Sequence, residues 1–149
     1  MKVRNVAIVV VGLFVSVLFS QALLAGNAED YRKSAEQGNV DAQYGLGFCY
    51  YIGRGGVGED RIEAVKWFRK AAEQGNADAQ FYLGLSYYSG GRGVDEDKAE
   101  AIKWFRKAAE QGHAVAQQWL GKCYSKGDGV VKDEAEGAKW LRKAKEQGL

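Results

Sequence analysis

The string Ala-Glu-Gln-Gly recurs along this chain every 37 residues, at 35–38, 72–75 and 109–112. A second string, Lys-Trp-Phe-Arg-Lys-Ala, keeps the same interval at 66–71 and 103–108, and Lys-Trp-Leu-Arg-Lys-Ala follows at 139–144. A fixed period of this length is typical of solenoids, in which each unit buries its apolar face only against its neighbours. The two strings therefore predict a stack of repeated units at about 39–75, 76–112 and 113–148.

Each unit carries two runs of apolar residues at helical spacing, which we call helix A and helix B. In the first unit, Ala42, Leu46 and Cys49 are followed by Gly53, where a left-handed C-cap would end helix A. Its helix B is predicted over 64–75, and the later units predict helices over Ala79–Ser89, Ala99–Gln111, Ala116–Lys126 and Ala135–Gln147. The chain contains no proline and no alternating strand pattern, so an all-α fold is predicted.

Glycine recurs at one position of helix A, as Gly47, Gly84 and Gly121. A glycine inside a helix costs about 1 kcal/mol relative to alanine, so its recurrence indicates a packing requirement. We expect another helix to approach helix A closely at this position, where a larger side chain would push the two axes apart.

The second unit reads Ala-Gln-x-x-Leu-Gly-x-x-Tyr at 79–87, Gly-Arg-Gly-Val at 91–94 and Ala-Ile-Lys-Trp at 101–104. These motifs strongly resemble the Sel1-like repeat family, whose helical hairpins are related to tetratricopeptide repeats. The resemblance covers residues 29–149 and implies a short right-handed α-solenoid of about three hairpins. Ahead of them, 31–38 matches the second half of a helix B, with polar Asp30 replacing tryptophan. We therefore expect an N-terminal half-repeat that caps the stack.

Residues 1–28 differ from the repeats. Lys2 and Arg4 precede an apolar run at 6–19, and small residues that suit a cleavage site end at Ala22 and again at Ala28. This order is typical of a secretory signal peptide. The alternative is an uncleaved membrane anchor, because the apolar character approaches the ~20 residues that a spanning helix needs, but polar residues interrupt the run and favour cleavage. We predict an exported protein, periplasmic or secreted, of a bacterial envelope, with no stable membrane insertion after cleavage.

Charge argues against nucleic acid as a partner. Removal of 1–28 takes two of the 21 basic residues and none of the 19 acidic ones, which leaves 19 of each. Proteins that bind nucleic acids usually carry a basic excess that neutralises phosphates. The balanced repeat domain at 29–149 lacks such an excess.

Two further motifs resemble binding or catalytic sites but are better explained as turns. Residues 53–58 spell Gly-x-Gly-x-x-Gly, but dinucleotide binding requires a strand before this motif, and here a helix is predicted. His113, the single histidine, stands where Asn39 and Asn76 precede helix A in the other units, so we expect a turn residue. The sequence therefore predicts no cofactor and no metal site.

Cys49 and Cys123 occupy the same position of helix A two units apart. Stacked helices lie about 8–10 Å apart, so the two residues are separated by something like 20 Å, beyond the ~7 Å that a disulfide allows between Cα atoms. Small buried residues are predicted here. The alternative is a disulfide between chains or a reactive thiol.

The resemblance also raises a second function, because some secreted bacterial Sel1-like proteins are associated with penicillin-like and peptidoglycan-derived molecules. A serine acyl-enzyme of that kind uses Ser-x-x-Lys with Lys-Thr-Gly, and neither string occurs in this chain. The paired cysteines of those relatives are missing as well. We predict no catalytic residue, and an envelope binder or hydrolase of peptidoglycan-like or β-lactam-like molecules is the alternative function.

Helix A has a second face, opposite its apolar residues, on which the units differ; we call it the A face. By resemblance to tetratricopeptide-like hairpins, it lines the concave side of the solenoid. Aromatic and acidic residues dominate it in the first two units and lysines in the third, which favours binding of a protein or peptide. Its predicted members are Asp41, Tyr44, Phe48, Tyr51, Asp78, Phe81, Leu85, Tyr88, Gln118, Lys122, Ser125 and Lys126. The alternative is that several of these aromatics pack against neighbouring helices.

Helix B of the third unit is followed only by Leu149. Without a following helix A, Trp140 and Leu141 are expected to be partly exposed, and self-association through this helix is one outcome. Taken with the predicted signal peptide, these patterns predict an exported, non-enzymatic repeat scaffold with a protein or peptide partner.

Overall fold

The computed structural model describes residues 27–149 and contains seven α-helices in that range. The helices are α1 (Ala28–Glu36), α2 (Val40–Ile52), α3 (Arg61–Glu73), α4 (Ala77–Ser89), α5 (Lys98–Glu110), α6 (Ala114–Lys126) and α7 (Glu134–Glu146). Residues 1–26 of the predicted signal peptide, with the cleavage position at Ala22, lie outside the described residues. Among the seven helices, none combines the length and apolar character that would let it cross a membrane.

Consecutive helices pack against one another in chain order. The hairpins are α2–α3, α4–α5 and α6–α7, so α2, α4 and α6 are the three helices A, and α1 packs on α2 as a half-repeat. Only one isolated bridge, between Gly91 and Val94, interrupts the helical and loop structure of the described part. The prediction of an all-α solenoid of three hairpins is confirmed.

Each helix A begins at a side-chain cap. Oδ1 of Asn39 accepts from the backbone N–H of Ala42 at 2.8 Å, and Nδ1 of His113 accepts from that of Ala116 at 3.1 Å. Such caps satisfy backbone donors that the start of a helix leaves unpaired. They also explain why α4 and α6 begin two residues before the ranges predicted from apolar spacing. His113 is a turn residue, as predicted.

The glycine column lies where helix B crosses helix A. A Cβ added to Gly84 would lie 2.8 Å from Cδ1 of Phe105 and 3.2 Å from the carbonyl oxygen of Ala101, both on α5. Phe105 is fully buried, so its ring has no free space to retreat into. The expected packing requirement is confirmed.

Polar contacts between units repeat along the stack. Arginines of α1, α3 and α5 donate to tyrosine hydroxyls on the next helix A, in the pairs Arg32–Tyr50, Arg69–Tyr87 and Arg106–Tyr124. Buried glutamines of each helix A donate to the carbonyl of an alanine near the end of the preceding helix, in the pairs Gln43–Ala35, Gln80–Ala72 and Gln117–Ala109. We call these two sets the stacking frame.

The expectation that Trp140 is partly exposed is wrong. Its side chain is 4% exposed because it packs with Leu120 and Tyr124 of the same unit, and its Nε1 donates to Oε1 of Glu136 at 2.7 Å. Leu141 is half-buried. At the next turn, exposed Lys145 replaces the buried alanine found at this position in α3 and α5, so the outer side of α7 is more polar than theirs.

Candidate functional site

Tyr82 of α4, at the edge of the A face, is the centre of an aromatic cluster that includes three A-face residues. Its ring centroid lies 5.4 Å from Phe48, 5.4 Å from Tyr51 and 6.0 Å from Tyr44. Phe68 of α3, which is fully buried, stacks on Tyr82 at 5.5 Å and supports the group from the core. The other four rings are half-buried, so each rests on the core and keeps part of its surface open. We call Tyr44, Phe48, Tyr51 and Tyr82 the first aromatic cluster.

A cation lies at the edge of the first aromatic cluster. Cζ of Arg61 is 3.7 Å from the ring centroid of Tyr51, a distance at which the guanidinium is attracted to the ring face. Nε of Arg61 also donates to Glu59 at 2.7 Å, and Arg92 of the next loop contacts the same carboxylate. The hydrogen bond from Arg61 holds the pKa of Glu59 below its usual value. Two loops are thereby joined beside the A face.

A second pair of rings follows along the stack. Tyr88 of α4 and Trp119 of α6 meet edge to face with their centroids 5.2 Å apart. Phe105 of α5 supports Trp119 at 5.7 Å from within the core. Both surface rings are half-buried, as in the first cluster. We call Tyr88 and Trp119 the second aromatic cluster.

An open cavity of about 260 Å³ adjoins the second aromatic cluster. Its lining combines two rings, two exposed lysines, a buried thiol and a carboxylate, from Tyr88, Trp119, Lys122, Lys126, Cys123 and Asp128. Lys122 donates to Oε1 of Gln118 at 3.2 Å on the same helix. The cavity therefore brings four residues of α6 together with one residue of α4 and one of the loop after α6.

The carboxylate of Asp128 makes a hydrogen bond and an ion pair within the protein. The hydroxyl of Tyr88 donates to one of its oxygens, and Nζ of Lys98 lies 3.0 Å from the other. The hydrogen bonds from Tyr88 and Lys98 hold the pKa of Asp128 below its usual value, and the bond to Asp128 raises the pKa of Tyr88 to about 12. At neutral pH the tyrosine is therefore a donor, and Lys98 offsets the charge of Asp128.

A family model described as the Sel1 repeat matches residues 40–76, 77–113 and 114–149. The chain belongs to the Sel1 repeat family. The predicted unit boundaries differ from the matched ones by one residue. Sel1 repeat proteins are helical scaffolds that typically serve protein–protein interaction, and the structure has that architecture.

Three solved structures are similar to the chain. A protective antigen present in uropathogenic Escherichia coli strains, which displays an SLR fold, is 46% identical with a TM-score of 0.77 over 83% of this chain and 26% of that chain. A Sel1 repeat protein from Oxalobacter formigenes is 40% identical with a TM-score of 0.72, covering 81% and 90%. Helicobacter pylori cysteine rich protein B shares the fold at 23% identity, with a TM-score of 0.64 over 84% and 93%.

The chain spans only about a quarter of the length of the E. coli antigen, since the match covers 26% of it. Comparison with curated proteins gives no match. The comparisons therefore establish the family and the fold of this Sel1 protein.

One predicted member of the A face is buried in the Sel1 stack. Phe81 is 8% exposed because the ring of His113, at the start of the next helix A, stacks on it at 4.9 Å. Phe105 packs against it at 5.8 Å. The prediction of Phe81 as an open surface residue is corrected accordingly, and we remove it from the candidate surface.

Other predicted members also make contacts within the Sel1 stack. Asp41 lies 3.5 Å from the side-chain amide of Asn76, and Asp78 lies 3.2 Å from Nε2 of His113, so each exposed carboxylate sits beside the cap of the following helix A. The hydroxyl of Ser125 donates to the carbonyl of Gly121 at 2.9 Å. The remaining candidates are half-buried or exposed, namely Tyr44, Phe48, Tyr51, Leu85, Tyr88, Gln118, Lys122 and Lys126.

Tyr82 and Trp119 are surface residues that were not predicted from the sequence. They occupy one helical position, between the apolar face of helix A and the A face, and the first unit has Gly45 there. Tyr31 of α1 fills the space beside Gly45, since a Cβ on that glycine would lie 2.9 Å from its ring. The succession of glycine, tyrosine and tryptophan at one position of a repeated Sel1 unit was the available signal.

Neither cysteine is poised for reaction in this Sel1 protein. Both are free and buried, and burial raises the pKa of Cys123 to about 11. Within residues 27–149, no group of His, Cys, Asp and Glu side chains is arranged to hold a metal ion. The Gly-x-Gly-x-x-Gly string begins at Gly53, which ends α2 in the left-handed conformation with φ 67°, and it is therefore a turn.

Proposed function

We propose that this Sel1 repeat protein is an exported, non-enzymatic scaffold that binds a segment of a protein partner along the A face. The supporting observation is a contrast between what repeats and what varies. The stacking frame recurs from unit to unit with the same residue types. The positions that face outward beside it change, as from Phe48 to Leu85 to Lys122.

Half-buried aromatic rings supply the binding energy in this proposal. Rings held against a packed core lose little side-chain freedom on binding, because the protein has already fixed them. Tyrosine and tryptophan at the centre of an interface commonly dominate its affinity. The first aromatic cluster offers four such rings over α2 and α4, and the second offers two more over α4 and α6. An extended or helical segment lying across the three helices A would contact both clusters.

Export is the second part of the proposal. It rests on the order of basic residues, apolar run and small residues at 1–28, which is typical of a signal peptide. The similarity to a protective antigen present in uropathogenic Escherichia coli strains is the second supporting observation. Both observations support a bacterial envelope or secreted location.

A random peptide library displayed on phage tests the binding of a segment. The described domain, 27–149, would be immobilised as wild type, as the A-face variant Tyr44→Ser/Phe48→Ser, and as the matched control Ile62→Ser/Val131→Ser. The control removes two exposed apolar residues that lie off the A face. Circular dichroism first establishes that all three proteins keep their helical content.

We expect peptides selected on the wild type to bind the control with similar affinity and the A-face variant at least about tenfold more weakly, a loss of about 1.4 kcal/mol. Equal binding to all three proteins would place the site elsewhere and overturn the proposal. No selection of peptides by a folded wild-type domain would also count against it.

The absence of catalysis can be tested separately. Incubation of the domain with a chromogenic β-lactam and with muropeptides is expected to give no turnover above a heat-denatured sample. Turnover that persists after further purification and disappears with Tyr88→Ala would favour the envelope hydrolase instead.

A further inference from the structure

We propose that the cavity beside Trp119 is an anchor pocket for two neighbouring residues of the partner segment, a large apolar side chain and an Asp or Glu. The pocket deepens the proposed function and rests on it, because it lies at one end of the A face. The apolar side chain would lie against the second aromatic cluster, and the carboxylate would meet Lys122 and Lys126.

The size of the cavity points to a part of a larger ligand. Pockets that enclose a whole small molecule usually measure about 300–1,000 Å³, and this one measures about 260 Å³ and is open. A single large side chain suits that volume better than a complete metabolite does. The rest of such a ligand would extend over the neighbouring surface, which carries half-buried Leu85 and the first aromatic cluster.

The inner wall of the pocket favours an apolar group. Tyr88 and Trp119 present half-buried rings, and Cys123, which also lines the pocket, is 2% exposed. The hydroxyl of Tyr88 is occupied by Asp128, so it offers no free donor to a ligand. A ring or branched aliphatic side chain would gain contact area against these two rings.

The rim of the pocket favours an anion. Lys122 and Lys126 are exposed and lie one helical turn apart, where like charges repel each other. The lining of the pocket carries two lysines, Lys122 and Lys126, against one carboxylate, Asp128. Asp128 is already paired with Lys98, which also lies 3.9 Å from Glu96. A carboxylate placed between Lys122 and Lys126 would relieve their repulsion and complement the net positive charge.

The position of the lysines favours a side-chain carboxylate of the partner over the carboxylate at the end of its chain. The cations stand at the exposed rim, and the inner wall is aromatic. A terminal carboxylate inserted into the cavity would leave solvent and meet rings, whereas an acidic side chain beside an inserted apolar residue would stay at the rim. We therefore assign the pocket to an internal acidic residue of the partner.

A titration followed by NMR tests this assignment with defined probes. The probe is a short peptide, acetylated and amidated, with a central Phe-Glu between Gly-Ser residues; its comparators carry Phe-Gln or Ala-Glu at the centre. A fourth peptide has no Glu and ends in Phe with a free carboxylate. The indole N–H signal of Trp119 reports binding, and Trp67, Trp104 and Trp140, which donate to glutamates of their own helices, serve as internal references.

We expect the Phe-Glu peptide to shift the Trp119 signal and to bind at least about tenfold more tightly than the Phe-Gln and Ala-Glu peptides. Lys122→Gln/Lys126→Gln should reduce the affinity for Phe-Glu by a similar factor and abolish its advantage over Phe-Gln. The matched control, Lys66→Gln/Lys103→Gln, removes the same charge from two exposed lysines of α3 and α5 and should leave binding unchanged.

Preference for the peptide with the free terminal carboxylate would overturn the assignment to an internal acidic residue. Equal binding of Phe-Glu and Phe-Gln, or insensitivity to loss of both lysines, would overturn the pocket itself. In both cases selected peptides that still depend on Tyr44 and Phe48 would leave the proposed function intact, so the two failures are distinguishable.

Discussion

Gln74, at the end of α3, donates a hydrogen bond of 2.7 Å from Nε2 to Oε1 of Gln43 on α2. Gln43 in turn donates from its own amide to the carbonyl of Ala35 at 3.2 Å. One buried amide therefore joins the preceding helix to the helix B of its own unit. Gln74 belongs to the Ala-Glu-Gln-Gly string, and Gln43 belongs to the Ala-Gln dipeptide of helix A. The two recurrent motifs therefore contact each other through a hydrogen bond.

The equivalent residue of the second unit, Gln80, provides a stability test. Gln80→Leu is expected to lower the free energy of unfolding by about 1–3 kcal/mol, because it removes two hydrogen bonds from a buried amide and leaves polar partners behind. Gln80 donates to Ala72 at 3.1 Å and accepts from Gln111 at 2.8 Å. Urea denaturation followed by circular dichroism measures the change.

Gln111→Ala is the matched control, since it removes one of the same bonds from the exposed side. Water can then reach the amide oxygen more easily, so the loss should be under about 1 kcal/mol. Equal effects of the two substitutions would show that the buried position of Gln80 contributes nothing of its own.

Gly84 tests the close approach of helix B to helix A. Gly84→Ala would gain about 1 kcal/mol from helix propensity, but crowding in a packed core typically costs about 1–3 kcal/mol. The added methyl would meet both the ring of Phe105 and the backbone of Ala101, and backbone cannot rotate away. We expect a net loss of stability of up to about 2 kcal/mol by urea denaturation.

Gly58→Ala controls for a general effect of the substitution. No heavy atom lies within 4 Å of a Cβ at that position. Its stability should therefore be unchanged or slightly raised, since alanine restricts the unfolded chain. A stabilised Gly84→Ala protein would contradict the assigned packing role of this column.

The periodicity of the sequence predicts the stack because every unit must satisfy the same contacts. The buried positions of Ala42 and Leu46 follow from spacing within one helix, and that of Gly84 follows from the recurrence of glycine at one position of helix A. The burial of Phe81 depends on His113 of the next unit, whose ring stacks on it. The space beside Gly45 is filled by Tyr31 of the preceding half-repeat. Single-helix patterns carry no information about such neighbours, so the candidate surface was predicted only in part.

Asp128 makes the stability of the third unit dependent on acidity. The pKa of its carboxyl is lowered in the folded protein by the hydrogen bonds from Tyr88 and Lys98, with Lys126 adding to the effect. Its contribution to stability is complete above the ordinary pKa of about 3.9 and is lost as the pH falls through the lower pKa of the folded state. Wild type should therefore lose more stability between pH 6 and pH 3 than Asp128→Asn does.

Thermal unfolding at both pH values measures this difference, and the other carboxyl groups cancel because both proteins share them. At pH 6 the variant should be the less stable of the two. Parallel losses in wild type and variant would show that Asp128 has no favourable pairing in solution.

The contacts of Asn27 and Ala28 favour one of the two predicted cleavage sites over the other. Its side chain accepts from the backbone N–H of Glu29 and caps α1, while Ala28 is 1% exposed and its N–H donates to the carbonyl of Gly55 at 2.9 Å. Cleavage after Ala28 would remove both residues, at a cost of about 1 kcal/mol for the cap alone. On the proposal that the protein is exported, we expect cleavage after Ala22, so that intact-mass analysis of the mature protein finds Leu23 as its first residue. A chain beginning at Glu29 should unfold at a lower urea concentration than one beginning at Leu23, and a mature protein that begins at Glu29 with undiminished stability would contradict the role assigned to Asn27 and Ala28.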